Sequence, residues 1–302
     1  MELGMIGLGK MGANMSERLV EAGHRVVGFD LSPDAVKRVV AAGAEAAESV
    51  QELPAQLGTP RAVWIMVPAG EPVDDTIAAL LPHLEEGDVV IDGGNSYYRD
   101  TLRRAAECAA SDVHVVDVGT SGGVWGLTEG YSMMVGGDDE VVDRLRPIFE
   151  TLAPGPDRGW GHVGPSGAGH FVKMIHNGIE YGLMQAYAEG FAIMKEKRDL
   201  DLDMHQIAQI WRHGSVVRSW LLDLTADALA DNPEMEGIAP YVPDSGEGRW
   251  TVLEAIDSDV AAPIISLSLF RRISSRDEID YADRLLSAMR HQFGGHAVKR
   301  ED

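Results

Sequence analysis

Short, nearly continuous apolar runs alternate with amphipathic stretches through the first half of the chain. The runs "ELGMIG" (2–7), "RVVGFD" (25–30), "AVWIMV" (62–67), "DVVID" (88–92) and "VHVVDVG" (113–119) predict strands. Runs apolar on both sides suit a sheet covered on both faces. Helical spacing between them predicts helices over 10–22, from about Asp34, over 73–84 and over 96–110. Strands and helices in alternation specify a parallel, doubly wound sheet. "GYSMMVGG" (130–137) adds a strand, and 139–153 a helix. "PGPDRGWGHVGPSG" (154–167) is dense in turn formers and marks a boundary near 160. Beyond it, only helical periodicity runs on to about residue 291. The expectation is an α/β domain over 1–163, then an all-helical domain over 164–302 that ends in a tail.

Composition narrows the partners. The 302 residues carry 48 acidic and 26 basic side chains, a net charge of −22. That balance argues against nucleic acid or an anionic membrane as the main partner. Any anionic ligand must then be gripped by a local basic cluster. A single cysteine, Cys108, excludes an intrachain disulfide and a thiolate metal site. No apolar run is long enough to cross a bilayer, and the chain opens at once on a strand with no space for a signal peptide. A cytoplasmic protein is expected.

The first strand leads into "GLGKMG", with Gly7, Gly9 and Gly12 in G-x-G-x-x-G spacing. These glycines serve a tight turn, backbone approach to a pyrophosphate, and close helix–strand packing. The helix start supplies free N–H groups and partial positive charge. Asp30 ends the second strand, where a carboxylate accepts from ribose hydroxyls and repels a 2′-phosphate. No arginine occurs in the following "LSPD". NAD is therefore the expected cofactor, rather than NADP. The bland alternative is a glycine turn with a helix-capping aspartate.

"GHFVKMIHNGIEYG" (169–182) has helical spacing despite poor helix formers. At 3.6 residues per turn, Lys173, His176, Asn177 and Glu180 share one stripe. Phe171, Ile175, Ile179 and Gly182 lie roughly opposite. The lysine and glutamate, two turns and roughly 10 Å apart, can flank one small molecule, unless the stripe is simply solvated. Gly178 and Gly182 suggest close approach of other backbone or a ligand. Loops "DGGNS" (92–96) and "GTSGG" (119–123) sit after strands, where open α/β sheets bind ligands. They offer Asn95, Ser121 and a possible N–H nest at Gly122 and Gly123. Each alone would more often be a turn or cap.

The segments "GLGKMGANM", "DGGNS", "TSGG", "GAGHFVKMIHNGIEYG", "GRWT" and "RHQFGGH" occur in the order found in 6-phosphogluconate dehydrogenases. The chain resembles that decarboxylating family, particularly its short, NAD-preferring members, within the β-hydroxyacid dehydrogenases. The resemblance implies a Rossmann domain and oxidative decarboxylation of 6-phosphogluconate to ribulose 5-phosphate. It also implies a place in the pentose phosphate pathway or gluconate utilisation. Lys173 would be the general base and Glu180 the later acid, with no metal. Asn95, Ser121, Gly122, Gly123, His176, Asn177 and Tyr181 would hold the sugar acid, and Arg271 its phosphate. Arg290 and His296 would reach the phosphate of a neighbouring subunit in a homodimer or homotetramer. Gly7, Leu8, Gly9, Lys10, Met11, Gly12, Asp30, Val67 and Asn95 would contact NAD.

One stretch departs from the family pattern. K-G-T-G-K-W-T is replaced by "SGEGRWT", so Ser245 and Glu247 stand where a lysine and a threonine are expected. A carboxylate beside a dianion is unfavourable. Either Glu247 turns away, toward Arg249 for example, or the substrate differs. A non-decarboxylating 3-hydroxyacid dehydrogenase or imine reductase would keep Lys173 without needing Glu180, Arg271 or Arg290. A non-catalytic NAD-binding protein is the alternative from another class.

Overall fold

The computed structural model describes residues 1–276, 281–294 and 297. Two compact units divide the chain, Met1–Asn177 and Gly178–Asp302.

The first unit is built on one eight-stranded sheet. Its strands are β1 (Glu2–Ile6), β2 (Arg25–Phe29), β3 (Glu45–Ala46), β4 (Ala62–Ile65), β5 (Val89–Asp92), β6 (His114–Ser121), β7 (Ser132–Gly136) and β8 (Trp160–Gly164). They lie in the order β3-β2-β1-β4-β5-β6-β7-β8. The helices are α1 (Lys10–Glu21), α2 (Pro33–Ala41), α3 (Glu71–Leu80), α4 (Tyr98–Ala109), the short α5 (Gly126–Glu129) and α6 (Asp139–Leu152).

The apolar strands are buried from both sides. On one face Met15 and Leu19 of α1, Val39 of α2, and Leu145, Ile148 and Phe149 of α6 pack with Trp64 and Tyr131. On the other, Val73, Ile77 and Leu80 of α3 and Cys108 of α4 pack with Val63, Ile65 and Val90. Burial pushes the Cys108 thiol up to about 11, which leaves it unreactive at neutral pH.

Two features depart from the expected parallel sheet. β7 runs antiparallel to β6, from Ser121 opposite Ser132 to Asp117 opposite Gly136. The segment read as a turn-rich boundary contains β8, which pairs parallel with β7. Its "WGHVG" has too few branched side chains to advertise a strand, and pairing to β7 fixes it instead.

α7 (Ala168–Glu196) is one continuous helix and runs through the division between the units. The second unit continues with α8 (Met204–Trp211), α9 (Trp220–Asp231), α10 (Glu247–Asp257), α11 (Pro263–Ser274) and α12 (Tyr281–Gly294). Its small core joins Met204 and Ala208 to Leu222, Ala226 and Leu229, with Tyr187, Phe191 and Trp211 packed against them.

Candidate active site

Strand order reverses between β1 and β4, and the glycine turn lies at that switch point. Gly7 has φ +91°, and a side chain there would strike the Met66 carbonyl. A side chain at Gly12 would strike the carbonyl of Gly7. The protein's own packing thus accounts for the first and third glycines. It does not account for the second, because a Cβ at Gly9 would meet no atom of the described residues within 4 Å. Close approach of the Gly9 backbone to a pyrophosphate would supply that reason. Gly9 also precedes α1 without a side chain to cap it, so the first-turn N–H groups are suited to a phosphate.

Asp30 stands where the sequence put it. Its Oδ2 accepts from Leu8 N–H at 2.6 Å and its Oδ1 from Ser32 N–H at 2.7 Å. Each carboxylate oxygen keeps a second lone pair for a ribose hydroxyl. The nearest following arginine, Arg38, is engaged with Asn14 at 2.6 Å and Glu17 at 3.6 Å. Leu8 is buried, Met11 and Val67 are partly exposed, and Lys10 is exposed.

The loop bearing Asn95 is anchored from below. Asp92 ends β5 fully buried. It accepts from Gly94 N–H at 3.1 Å and from Ser96 Oγ at 2.7 Å, and pairs with Arg104 at 3.4 Å. Arg104, 1% exposed, also bonds Asp74 at 2.8 Å and the Gly70 carbonyl at 3.0 Å. Hydrogen bonds from Arg104 and then Arg103 hold the Asp74 carboxyl below its ordinary range. Asn95 itself is exposed at the loop tip.

At the end of β6, Ser121 leads into Gly122 (φ +131°) and Gly123 (φ +52°). Both are left-handed positions that favour glycine, and they form the kind of turn that gathers N–H groups into a nest. Two residues earlier, Gly119 lies directly against the side chain of Lys173. The first unit therefore brings Lys173 beside the strand that ends in Ser121–Gly123.

The polar stripe on α7 is not a solvated face. Lys173 is 6% exposed and Asn177 9%, whereas the apolar Ile179 behind them is 52% exposed. Nδ1 of His176 lies 3.0 Å from Asn177 Oδ1 and 3.5 Å from Lys173 Nζ. Glu180 is partly exposed.

In the second unit, Gly178 and Gly248 let α7 and α10 meet closely. A side chain at Gly178 would lie 2.6 Å from Thr251, and one at Gly248 would strike the Tyr181 ring. Among the described residues, a side chain at Gly182 would make only an ordinary contact with Ile264. Tyr181 is buried, and its hydroxyl has no hydrogen-bond partner among the described residues. Its ring lies 3.4 Å below the Arg272 guanidinium, a cation–π contact.

Arg271 and Arg290 are exposed on α11 and α12, and His296 lies outside the described residues. The departing segment resolves differently from the expected Glu247–Arg249 pair. Buried Glu247 accepts from Ser245 Oγ at 2.6 Å, and Arg249 takes Asp244 at 2.6 Å instead. Burial opposes ionisation of Asp244, but Arg249, the Gly246 N–H and Arg276 hold its carboxyl below the ordinary range.

Beneath α7, buried Asp117 accepts from the N–H groups of Gly167 and His170, and Thr101 lies 2.7 Å from His170; these groups, with Asp92, Arg104, Asp244 and Arg272, went unread in the sequence. One signal was present. An aspartate inside the apolar run "VHVVDVG" must find donors when buried.

A doubly wound sheet with this glycine turn and Asp30 defines a dinucleotide-binding α/β class, here joined to a helical unit. Residues 2–163 match the family model described as the NAD binding domain of 6-phosphogluconate dehydrogenase, and 169–283 match that of its C-terminal domain. The chain belongs to the 6-phosphogluconate dehydrogenase family.

It is 47% identical over 303 residues to the NAD(+)-dependent, decarboxylating 6-phosphogluconate dehydrogenase of Haloferax volcanii, covering 100% of both chains. Among solved structures it is similar to 6-phosphogluconate dehydrogenase of Plasmodium falciparum, with TM-score 0.84 and 30% identity. That match covers 100% of this chain but 66% of the longer Plasmodium chain, which is described in complex with NADP+ and with 6-phosphogluconate. Mycobacterium tuberculosis 3-hydroxyisobutyrate dehydrogenase is also similar, with TM-score 0.71 and 26% identity, covering 88% of this chain and 90% of that one.

Proposed function

We propose that this protein oxidises and decarboxylates 6-phospho-D-gluconate, giving D-ribulose 5-phosphate and CO2 with reduction of NAD. The observation that carries the reading is the buried amine of Lys173 beside the strand that ends in Ser121–Gly123. Glu180 follows it two turns along the same helix. A 3-hydroxyacid dehydrogenase that does not decarboxylate needs the first group and not the second.

Residues 1–163 take the cofactor in this reading, and 164–302 supply most of the substrate contacts. Gly7, Gly9 and Gly12, with Leu8, Lys10 and Met11 between them, would hold the pyrophosphate. Asp30 would hold the adenosine ribose, and Val67 and Asn95 would line the remainder. Held by these residues, NAD would supply the acceptor for the hydride lost from C3 of the sugar acid. Asn95, Ser121, Gly122, Gly123, His176, Asn177 and Tyr181 orient the acid, and Arg271 binds its phosphate.

Lys173, as the neutral amine, removes the C3 hydroxyl proton during oxidation. The protonated amine then donates a hydrogen bond to the C3 ketone oxygen, which stabilises the charge that develops as the C1–C2 bond breaks and CO2 leaves. Glu180 delivers a proton to C2 of the resulting enediolate, which becomes C1 of the pentose product, and regains one from solvent. The proton taken by Lys173 passes to solvent, so the reaction closes with CO2, ketopentose and reduced cofactor.

Glu180→Gln isolates the last step. Oxidation should proceed in a rapid burst of one NADH per site, followed by steady turnover slowed about 100-fold. A stopped-flow trace with a wild-type steady rate would remove Glu180 from the mechanism.

The reaction itself is tested with 6-phosphogluconate labelled at C1, alongside gluconate and 3-hydroxyisobutyrate, each with NAD and with NADP. Labelled CO2 should appear in step with NADH from 6-phosphogluconate. NADH without CO2, or preference for 3-hydroxyisobutyrate, would favour the non-decarboxylating alternative.

Assembly into a homodimer or homotetramer belongs to the same reading, with Arg290 and His296 reaching a neighbour's phosphate. It is supported by exposed apolar side chains on two helices of the second unit. These include Ile193 of α7 and Ile264, Leu267 and Phe270 of α11. Such surface is usually covered by another copy. Sedimentation at the monomer mass of 32.6 kDa would count against it.

A further inference from the structure

The groups that seat α7 on the sheet single out a residue outside the set already assigned. Asp117 lies within β6 and is wholly buried. Its Oδ1 accepts from the N–H of Gly167 at 2.6 Å, and its Oδ2 from the N–H of His170 at 2.7 Å. Donors at a helix start have no partner inside the helix. A carboxylate borrowed from the neighbouring strand satisfies two of them and puts negative charge at the positive helix end.

The contact is close because three glycines permit it. A Cβ at Gly136 would lie 2.6 Å from Asp117 Oδ1 and 2.7 Å from the Gly169 nitrogen. One at Gly169 would lie 2.6 Å from the Asp117 carbonyl. Gly119, two residues along from Asp117, receives the Lys173 side chain. A second tie comes from α4, where Thr101 Oγ1 lies 2.7 Å from Nδ1 of the buried His170. His170 and Lys173 are three residues apart, on the same side of the helix.

Strand β6 therefore fixes α7 at two places, by hydrogen bonds at Asp117 and by contact at Gly119. One carboxylate facing two donors, on Gly167 and His170, sets both the rotation of the helix and its position along the strand. We propose that Asp117 is a positioning residue for the reaction, holding the first two turns of α7 so that Lys173 stays seated against Gly119. The proposal rests on the assignment of Lys173 as the base.

Asp117→Asn keeps the volume and one acceptor, but turns an amide N–H toward a backbone N–H. A base displaced by about 1 Å loses on the order of 100-fold in rate. The expected result is therefore a kcat lowered 10- to 100-fold, with NAD affinity in a fluorescence titration within 2-fold of wild type. The isotope effect on kcat with substrate deuterated at C3 should rise, because oxidation becomes the slow step. A loss of folded protein alone would lower the rate without moving that isotope effect.

Asp117→Ser, which retains one short acceptor, serves if the asparagine variant does not fold. Wild-type kcat and isotope effect in a folded variant overturn the proposal. Failure of both variants to fold also overturns it, since Asp117 would then act on stability alone. Lys173→Met measured in parallel separates the two levels. If that variant is active, the base assignment fails. If it is inactive while Asp117→Asn behaves as wild type, only the role of Asp117 fails.

Discussion

Lys173→Met is expected to lower kcat by roughly 10²–10⁴-fold, the usual worth of a positioned general base. Methionine reproduces most of the length and volume of the lysine stem, so packing against Gly119 is retained. The glycine turn between β1 and α1 is untouched, so NAD should bind as before. The expected signature is an inactive protein that saturates with cofactor at the wild-type concentration and melts within a few degrees of wild type. NADH formation within about threefold of normal would end the assignment of Lys173, since a base worth so little lies outside the range for such groups.

Arg104→Met is expected to give the largest loss of stability, about 3–5 kcal/mol. Arg104 and Asp92 are each 1% exposed. Removing the cation leaves a buried carboxylate with only the Gly94 and Ser96 donors, together with Asp74 and the Gly70 carbonyl short of a partner. Stability of a whole domain is about 5–15 kcal/mol, so the midpoint of urea unfolding should fall sharply. The exposed neighbour Arg103 also bonds Asp74, at 2.8 Å, yet Arg103→Ala should cost under about 1 kcal/mol. Adding Asp92→Asn to Arg104→Met should recover much of the loss, because the orphaned charge is its main source. A loss below 1 kcal/mol in Arg104→Met, or no recovery in the double variant, would show that Asp92 is satisfied without the arginine. The same change loosens the loop that carries Asn95, so the substrate KM should rise as well.

These two sites differ in how openly the sequence displays them. The glycine turn and Asp30 are legible because their requirements are local: a positive φ at Gly7, a close approach at Gly12, a carboxylate at a strand end. Lys173 to Glu180 is legible because helical periodicity places side chains on one stripe. The supports beneath them are not, because their partners are distant in the chain. Asp117 reaches Gly167 and His170, 50 and 53 residues away, and Thr101 reaches His170 across 69. No local pattern announces such pairs. The reversed β7 and the glycine-rich β8 were hidden for a related reason, since strand direction is decided by which neighbour is available. Arg249 pairs with Asp244 rather than Glu247 because Asp244 presents the better-placed carboxylate, while Glu247 is held by Ser245.

One continuous segment carries both the amine and the carboxylic acid assigned to catalysis. Seven residues of a single backbone join them. Gly178, lying between them, is where that helix has its lowest intrinsic propensity. Thr251 of α10 fills the space a side chain would need there, so any larger residue at 178 must push α10 aside or bend α7.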